Sequence, residues 1–415
     1  MRRSLAALVV GFLIVTGLQA QSAGAATKRP SKVSLVSFVK ASYDRQTNRT
    51  TLSLDWADAR HAKKYEIFVS RSYSMRNAKK YVQKSSKTTI KKLIRGKDYY
   101  VQVRGVNGKK HGTKSAVVGR TTILRPGPLT NLMPLRVMTY NVCSDVCDVI
   151  RSAPDPWSPT RNSAVLERIA ASGADVVATQ EAGNLTVPPA GYAQAVHYSA
   201  KRLYYNTARF DVAPGPLPTS TFEPTGAKCR LTSEIGLPTG VIFLGRHGGG
   251  CRYAVWAELV ERSTGRSFMM VDVHTVSGKT QETTDYRRAE VNQMLTTIKA
   301  TNVKGLPIIY AGDFNSHKES RPSDSVRPPM HATKHYDAFD LARNVVGQHQ
   351  SSYNGFKTDP VISVRWGNHI DKVWVDPWKV RVDAWYNFSL LDANGKMVRP
   401  IGSDHSPIVV DLRLG

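Results

Sequence analysis

In the 415-residue chain, the segment Leu306-Pro-Ile-Ile-Tyr-Ala311 runs directly into Gly312-Asp-Phe-Asn315. Its apolar half has the composition of a buried strand, and an acid and an amide follow where that strand ends. Similar apolar runs recur after Leu135, separated by segments of helical periodicity such as residues 284–299. Another helical pattern stops at Gly173. The alternation predicts an α/β domain.

Polar side chains stand near the ends of the strands predicted in this region. One late strand is predicted to end within Asp371–Asp376, and another to begin after Asp404-His405. Because a sheet gathers strand ends from distant parts of the chain, we expect these side chains to lie together. Their carboxylates and amides suit Mg²⁺ or Ca²⁺, and their imidazoles exchange protons near neutral pH. The set comprises Asn141, Glu181, His274, Asp313, Asn315, Asp371, Asp404 and His405.

This set fits phosphodiester hydrolysis, in which a metal and hydrogen-bond donors stabilise the charge that grows on phosphoryl oxygens. The surrounding motifs resemble, in order, those of the endonuclease/exonuclease/phosphatase superfamily. The resemblance spans nearly all of residues 135–415. For residues 134–415 it implies an α/β four-layer sandwich with two central mixed β-sheets flanked by helices. The motifs are Thr139-Tyr-Asn-Val142, Gln180-Glu181, Val273-His-Thr275, Gly312-Asp-Phe-Asn315, His369-Ile-Asp-Lys372 and Ser403-Asp-His-Ser-Pro407.

The resemblance also implies a role for each matching residue. Asn141, Glu181 and Asp404 are expected at a metal site for Mg²⁺, or alternatively Mn²⁺ or Ca²⁺, with Glu181 as the main carboxylate ligand. Asp313 would activate or orient the attacking water, and Asn315 would hold a phosphate oxygen.

Two histidines complete the expected site. His405 would be the acid/base or phosphate-contacting histidine, oriented by Asp371, and His274 would be a second histidine on the phosphate side. Arg287 begins a motif that reads Arg-x-x-Gln in related proteins. Glu290 replaces that glutamine here, so we assign no catalytic role to this motif.

The first 25 residues have the layout of a secretory signal peptide. Arg2 and Arg3 precede the apolar stretch Leu5–Leu18, and Ala23-Gly24-Ala25 is a small-residue cleavage site. A membrane anchor would need about 20 apolar residues, and this stretch is shorter. No later segment is apolar enough to span a bilayer. We therefore expect a secreted, extracellular protein, free or associated with the cell wall.

The four cysteines are predicted to form two disulfides, as is common in exported chains. Closeness in sequence favours Cys143 with Cys147 and Cys229 with Cys251. A zinc site is the alternative, but no His or Cys pair stands nearby at the spacing that zinc requires.

The Pro- and Gly-containing segment 125–133 is predicted to be a linker. Before it, residues 31–124 read as short alternating strands, which predicts an all-β antiparallel sandwich. The segment Leu93–Val103, with Trp56 upstream, resembles a fibronectin type III domain. In that family Tyr99 would be the corner tyrosine and Trp56 a core residue, whereas Arg95 departs from the usual proline.

Most of the net charge of +26 lies in this first domain. Residues 28–133 contain 25 Lys and Arg against 5 acids, whereas residues 134–415 contain 31 against 27. Such an excess opposes folding by self-repulsion, so it predicts docking on a polyanion: nucleic acid, an anionic wall polymer or an acidic membrane surface. The alternative is a solubility feature. We expect the module to act as a tether that is dispensable for hydrolysis of small substrates.

The preferred prediction is a secreted, monomeric, metal-dependent phosphodiesterase that acts as a nuclease on DNA or RNA. Two alternatives remain open: a phospholipid phosphodiesterase of sphingomyelinase type, and a non-catalytic adhesion protein that binds polyanions. No long apolar hairpin suited to a bilayer is present, which favours the nuclease. Residues 213–250, rich in Pro and Gly, are expected to form a loop region on the substrate side.

Overall fold

The structure is a computed structural model that describes residues 27–144, 147, 156–215, 229, 238–247 and 250–415. The predicted signal peptide lies outside these residues, so export stays a prediction. Much of the segment expected to be a substrate-side loop also lies outside them. Among the described residues, no helix combines the length and the apolar character needed to cross a membrane.

Within these residues, 22 strands and four helices follow one another. Strands of the first part are β1 (Val36–Asp44), β2 (Arg49–Trp56), β3 (Lys64–Ser70), β4 (Lys79–Gln83), β5 (Lys87–Leu93), β6 (Asp98–Asn107), β7 (Lys110–His111) and β8 (Val118–Thr121). Strands of the second part are β9 (Met133–Asn141), β10 (Val176–Gln180), β11 (Tyr192–Tyr198), β12 (Lys201–Asn206), β13 (Phe210–Val212), β14 (Thr239–His247), β15 (Gly250–Glu261), β16 (Ser267–His274), β17 (Ile308–Asp313), β18 (Tyr336–Asp337), β19 (Asn344–Val346), β20 (Asp371–Val375), β21 (Val380–Asn387) and β22 (Ile408–Leu414). The helices are α1 (Pro159–Ser172), α2 (Gln281–Thr301), α3 (Arg327–Ala332) and α4 (Ala338–Leu341).

Two mixed sheets face each other in the second part of the chain. One has the strand order β11-β12-β10-β9-β22-β21-β19, with β9 parallel to β10 and antiparallel to β22. The other has the order β13-β15-β16-β17-β20-β18, with β14 also paired to β15. Apolar side chains from both sheets, such as Val137 and Val255, form one buried core between them. Residues 213–250 were predicted to form a loop region, but Thr239–His247 within them form strand β14, whose backbone pairs with β15.

A long helix covers the outer face of each sheet. Val165 and Ile169 of α1 are buried in a cluster with Tyr140 and Val177 of the first sheet. Helix α2 covers the second sheet in the same way, with Val291 in a cluster that includes side chains of β15 and β16. The order helix, sheet, sheet, helix confirms the predicted α/β sandwich.

The first part of the chain is a β region with two sheets around a common core. Strands β1, β2 and β5 form one sheet, and β4, β3, β6, β7 and β8 form the other. Trp56 packs edge-on against Tyr65, with ring centroids 5.3 Å apart, inside this core. The hydroxyl of Tyr99 accepts a hydrogen bond from the backbone N–H of Ile94 at 3.0 Å. The more specific assignment to the fibronectin type III family stays a prediction.

The two parts of the chain are joined by a continuous sheet. Strand β1 pairs with β19 at Lys40 and Asn344, which extends the first sheet to ten strands. The backbone N–H of Phe38 donates to the side-chain oxygen of Gln348 at 3.1 Å. The buried Arg120 donates to the carbonyl of Ala342 at 3.1 Å. This interface argues against the expectation of an independent tether, since removing the module would expose a sheet edge and buried side chains.

A second set of contacts joins the module to the segment beside β20. The ring of Trp366 lies 5.7 Å from the ring of Tyr100, and Lys318 stacks over Trp366 at 3.9 Å. Lys318 also forms ion pairs with Asp98 of the module at 3.4 Å and with Asp340 at 3.2 Å. A Cβ at Gly119 would lie 2.7 Å from the Trp366 ring, so the close approach requires glycine there.

We predict that Trp366→Ala destabilises the whole protein, because Trp366 is 7% exposed and fills the junction between the two parts. The expected loss is about 3–5 kcal/mol in the free energy of unfolding, typical for truncation of a buried tryptophan. Trp378→Ala is the matched control, since Trp378 is 50% exposed. Thermal unfolding measures both. Equal shifts in Tm for the two variants would contradict a packed junction.

Candidate active site

Strand ends from both sheets meet at one edge of the sandwich. Asn141 ends β9, and Gln180 pairs with it at the end of the parallel strand β10, so Glu181 follows at the same edge. His274 ends β16 and pairs with Asp313 at the end of β17. The pairing of β17 with β20 then places Asp371 opposite Asp313. Both sheets thus deliver polar side chains to one place.

The strand that contains Asp371 differs from its prediction in where it begins and ends. The late strand begins at Asp371 and runs to Val375, whereas it was predicted to end within Asp371–Asp376. Since β20 runs antiparallel to β17, its first residue lies at the edge where β17 ends. Asp371 therefore still reaches the site.

A hydrogen-bonded centre connects the two sheets. The amide nitrogen of Asn141 donates to Glu181 Oε1 at 3.0 Å and to Asp313 Oδ2 at 3.2 Å. His274 Nε2 lies 3.6 Å from Asp313 Oδ2 and 3.8 Å from Glu181 Oε1. The predicted metal-site and catalytic residues are thus in contact.

His405 and Asp371 form a buried pair. His405 Nδ1 lies 2.8 Å from Asp371 Oδ2, while its Nε2 lies 3.9 Å from both Asp313 Oδ2 and Asp404 Oδ1. Ser352 Oγ accepts a hydrogen bond from the backbone N–H of Asp371 at 3.1 Å. With Nδ1 held by Asp371, the other ring nitrogen of His405 is left to act on a substrate.

Burial and neighbouring charges shift the acid–base properties of this centre. Burial alone would lower the pKa of His405, but the carboxylates of Asp371, Asp404 and Asp313 outweigh it and hold that pKa well above its usual range. Burial and the nearby charges of Asp371 and Glu181 raise the pKa of Asp313 to about 7. A cationic histidine therefore lies beside a carboxyl group that exchanges its proton near neutral pH.

Backbone conformation fixes two of these side chains. Glu181 and Asn315 have φ values of 49° and 47°, in the left-handed region that non-glycine residues rarely adopt. Before Asn315, a Cβ at Gly312 would lie 1.9 Å from the carbonyl oxygen of Val273, so β16 and β17 approach closely only with glycine there. The side-chain amide of Asn315 donates to the carbonyl of Thr275 at 3.0 Å. The left-handed residues are typical of functional sites.

The donor set fits a divalent cation. Acidic side chains crowd together here, and Asp371 Oδ1 is buried without a hydrogen-bond partner among the described residues. Asp313, Asp371 and His405 present ligand atoms within 4.8 Å of one another. Carboxylate and amide oxygens are the ligands that Mg²⁺ and Ca²⁺ prefer. A cation held by Glu181 and Asp404 would offset the repulsion between these carboxylates. Asn141 lies beside them with its amide nitrogen, not its oxygen, turned towards Glu181 and Asp313.

Both predicted disulfides are present, with Cα–Cα distances of 5.4 Å for Cys143–Cys147 and 5.7 Å for Cys229–Cys251. The first follows Asn141 directly, and the backbone N–H of Cys143 donates to Asn141 Oδ1 at 3.1 Å. This bond orients the amide of Asn141 so that its nitrogen faces the carboxylates.

The motif Arg287–Glu290, in which glutamate stands where related proteins have glutamine, supports a wall of the site. Arg287 donates to the carbonyls of Val276 at 3.1 Å and Gly278 at 2.9 Å, and Glu290 accepts from the backbone N–H of Val276 at 2.8 Å. Ser277, Gly278 and Lys279 of the braced segment line the cleft. Arg287 and Glu290 therefore hold this wall in place.

The site opens into a cleft of about 1000 Å³. Its lining includes Glu181, His274, Asp313, Asn315 and His405, so five of the eight predicted residues face it. It also includes residues that sequence reasoning missed, because they lie outside any recognised motif. Those are Lys201, Arg252, His317 and Tyr353.

Comparison with known proteins agrees with this geometry. Residues 138–405 match the model of the Endonuclease/Exonuclease/phosphatase family. The chain belongs to this family. It matches no curated protein. Members of the family are generally hydrolases that act on phosphoester bonds.

The chain is also similar to several solved structures. An endonuclease/exonuclease/phosphatase family protein from Bacteroides thetaiotaomicron is 16% identical, with a TM-score of 0.50 over 69% of this chain and 99% of its own. A mannosyl-6-phosphatase from the same species is 17% identical, with a TM-score of 0.49 over 67% of this chain and 99% of its own. TDP2 from D. rerio, complexed with a single-strand DNA product, is 17% identical, with a TM-score of 0.46 over 67% and 98%.

We predict that Asp371→Asn lowers kcat by about 10²–10⁴-fold, because His405 loses the carboxylate that orients and charges it. His335→Ala is the control, since His335 is a buried histidine that packs against Tyr310 outside the site. The control should lower Tm and leave kcat nearly unchanged. Steady-state kinetics and thermal unfolding separate the two effects. Near-normal turnover of Asp371→Asn would contradict the role given to the pair.

Proposed function

We propose that this chain is an exported, metal-dependent phosphodiesterase that acts as a nuclease on DNA or RNA. The observation that carries the proposal is the His405–Asp371 pair, which lies beside Asp313 at the floor of one cleft. The amide of Asn141 connects Asp313 to Glu181 by hydrogen bonds. This arrangement places a proton donor, a proton acceptor and hard-cation ligands around a space open to substrate.

In the proposed reaction, Asp313 accepts a proton from the attacking water, for which a pKa of about 7 is suited. Protonated His405 donates its Nε2 proton to the departing ester oxygen as the bond between that oxygen and phosphorus breaks, while Asp371 stabilises the charge of the imidazolium. Asn315 and His274 contact the phosphoryl group from the β16–β17 side. Glu181 would hold a divalent cation at this centre, and the cation would supply Lewis-acid stabilisation of the developing negative charge.

Charge in the cleft favours a polyanionic substrate. Four basic side chains, Lys201, Arg252, Lys279 and Arg321, line it outside the catalytic set. Phosphate contacts dominate the affinity of proteins for nucleic acids. A phospholipid offers one phosphate and an apolar body, for which this lining supplies few partners. The intact centre argues against the non-catalytic alternative.

Two features of the chain support export. Residues 1–25 have the signal-peptide layout, and all four cysteines of the chain are paired in disulfides, with none free. Disulfides persist in oxidising compartments outside the cytosol. We therefore propose an extracellular site of action, as a monomer.

The basic module is proposed to hold the enzyme on polyanions. Its cations are poorly neutralised: Glu66 is paired with Lys80 and Arg104, while Asp98 is paired with Lys318 of the catalytic part. Exposed lysines are concentrated on β4, β5 and the turn that joins them. Because the module is fixed to the catalytic part, polymer bound there stays close to the cleft.

We expect the purified protein to hydrolyse plasmid DNA, RNA and bis(p-nitrophenyl) phosphate, and to leave sphingomyelin intact. EDTA should abolish these activities and Mg²⁺ or Mn²⁺ should restore them, because the buried carboxylates need a cation to bind an anionic substrate. Side-by-side assays measure each rate. Full activity after chelation would refute metal dependence, and exclusive hydrolysis of sphingomyelin would refute the nuclease.

Removal of charge from the module should weaken polyanion binding. A variant with Lys84, Lys87, Lys91 and Lys92 changed to Gln is expected to bind heparin or DNA less tightly, with a shallower dependence of log K on log salt. The control removes the same charge from the catalytic part, at Lys299, Lys304, Lys334 and Lys396. Fluorescence anisotropy over a salt series gives both slopes. If the two variants bound equally, the charge of the module would be a solubility feature.

A further inference from the structure

Lys201 is a buried lysine in the cleft that forms no ion pair among the described residues. Lys201 begins β12 beside the end of β10, is 6% exposed and lines the cleft together with Glu181 and His274. Among the described residues, its ammonium group makes no hydrogen bond or ion pair. Burial of an unpaired charge costs several kcal/mol, so buried lysines are ordinarily paired.

The acids around Lys201 do not pair with it. Asp272, Glu290 and Glu181 all lie close enough to raise its pKa, but no ion pair among the described residues joins Lys201 to any of them. Asp272 Oδ1 instead accepts a hydrogen bond from the amide of Gln180 at 2.6 Å. Burial raises the pKa of Asp272 and lowers the pKa of Lys201, so both groups are shifted towards their neutral forms. Neutralisation of Asp272 is therefore a weak reason for a lysine at this position.

A second cation stands on the same wall. Arg252 of β15 lines the cleft and lies close enough to Lys201 to oppose its positive charge. Within the described part of the chain, Arg252 also forms no ion pair, although it lies close enough to Glu290 to lower the pKa of that carboxyl group. Two neighbouring cations that repel each other and face a cleft are stabilised when an anion binds between them.

We propose that Lys201, together with Arg252, forms a second phosphate-binding subsite that holds a phosphate adjoining the scissile phosphodiester. This inference rests on the proposed function and deepens it. The subsite selects substrates with consecutive phosphates, such as oligonucleotide strands, over esters with a single phosphate.

The test compares Lys201→Met with the wild type on two classes of substrate. A 5′-phosphorylated thymidine tetranucleotide carries adjoining phosphates, and bis(p-nitrophenyl) phosphate carries one. We expect KM for the tetranucleotide to rise at least about 10-fold in Lys201→Met, and by a larger factor than KM for the small ester. Lys201→Arg should restore most of the loss. Lys304→Met, which removes an exposed charge, should change neither substrate.

A binding measurement separates failure of the subsite from failure of the proposed function. Pyrophosphate, with two adjoining phosphates, should raise Tm of the wild type more than inorganic phosphate does, and Lys201→Met should lose this difference. An equal Tm response in wild type and Lys201→Met would overturn the subsite, as would equal losses on both substrates. A wild type that hydrolyses no phosphodiester, yet keeps the pyrophosphate difference, would overturn the proposed function alone.

Discussion

The confinement of four buried carboxylates at one edge of the sandwich is the constraint on which the site depends. Glu181, Asp313, Asp371 and Asp404 are all buried there. Like charges at such distances oppose one another, and the repulsion is relieved by the proton of His405 and by the raised pKa of Asp313, which favours its neutral form. A cation bound there would relieve it further. The sheets must hold this arrangement against its own electrostatic cost. That rigidity is supplied by paired strand ends, which come from both sheets.

Sequence reasoning predicted this centre because its members follow recognisable strands and motifs. Asn141 and Asp313 stand at strand ends that the apolar runs reveal, and the order of the motifs supplied the rest. Lys201 gave no such signal, since it begins a short strand beside an arginine and belongs to no motif. The pairing of β1 with β19 also could not be predicted from the sequence, because a single pair of residues about 300 positions apart leaves no periodic pattern.

The contacts between the two parts of the chain connect the basic module to a wall of the cleft. Lys318 binds Asp98 of the module, and the next residue, Glu319, lines the cleft and pairs with Arg365 at 2.8 Å. Arg365 in turn stacks over Tyr73 of the module at 3.4 Å. The module thus contacts a wall of the cleft through two routes. Changes at this junction would therefore reach the candidate site.

Opposed charges are distributed over the cleft in a way that suits a strand of phosphates. The acids lie at the floor, where strand ends of both sheets meet beside His405. Lys201 and Arg252 also line the cleft and make no ion pair with these acids among the described residues. If the two cations served only to balance the acids, close pairing would give the lowest energy. Under the proposed function, their positive charge would be available for a phosphate next to the reacting one, which would favour a substrate longer than one ester.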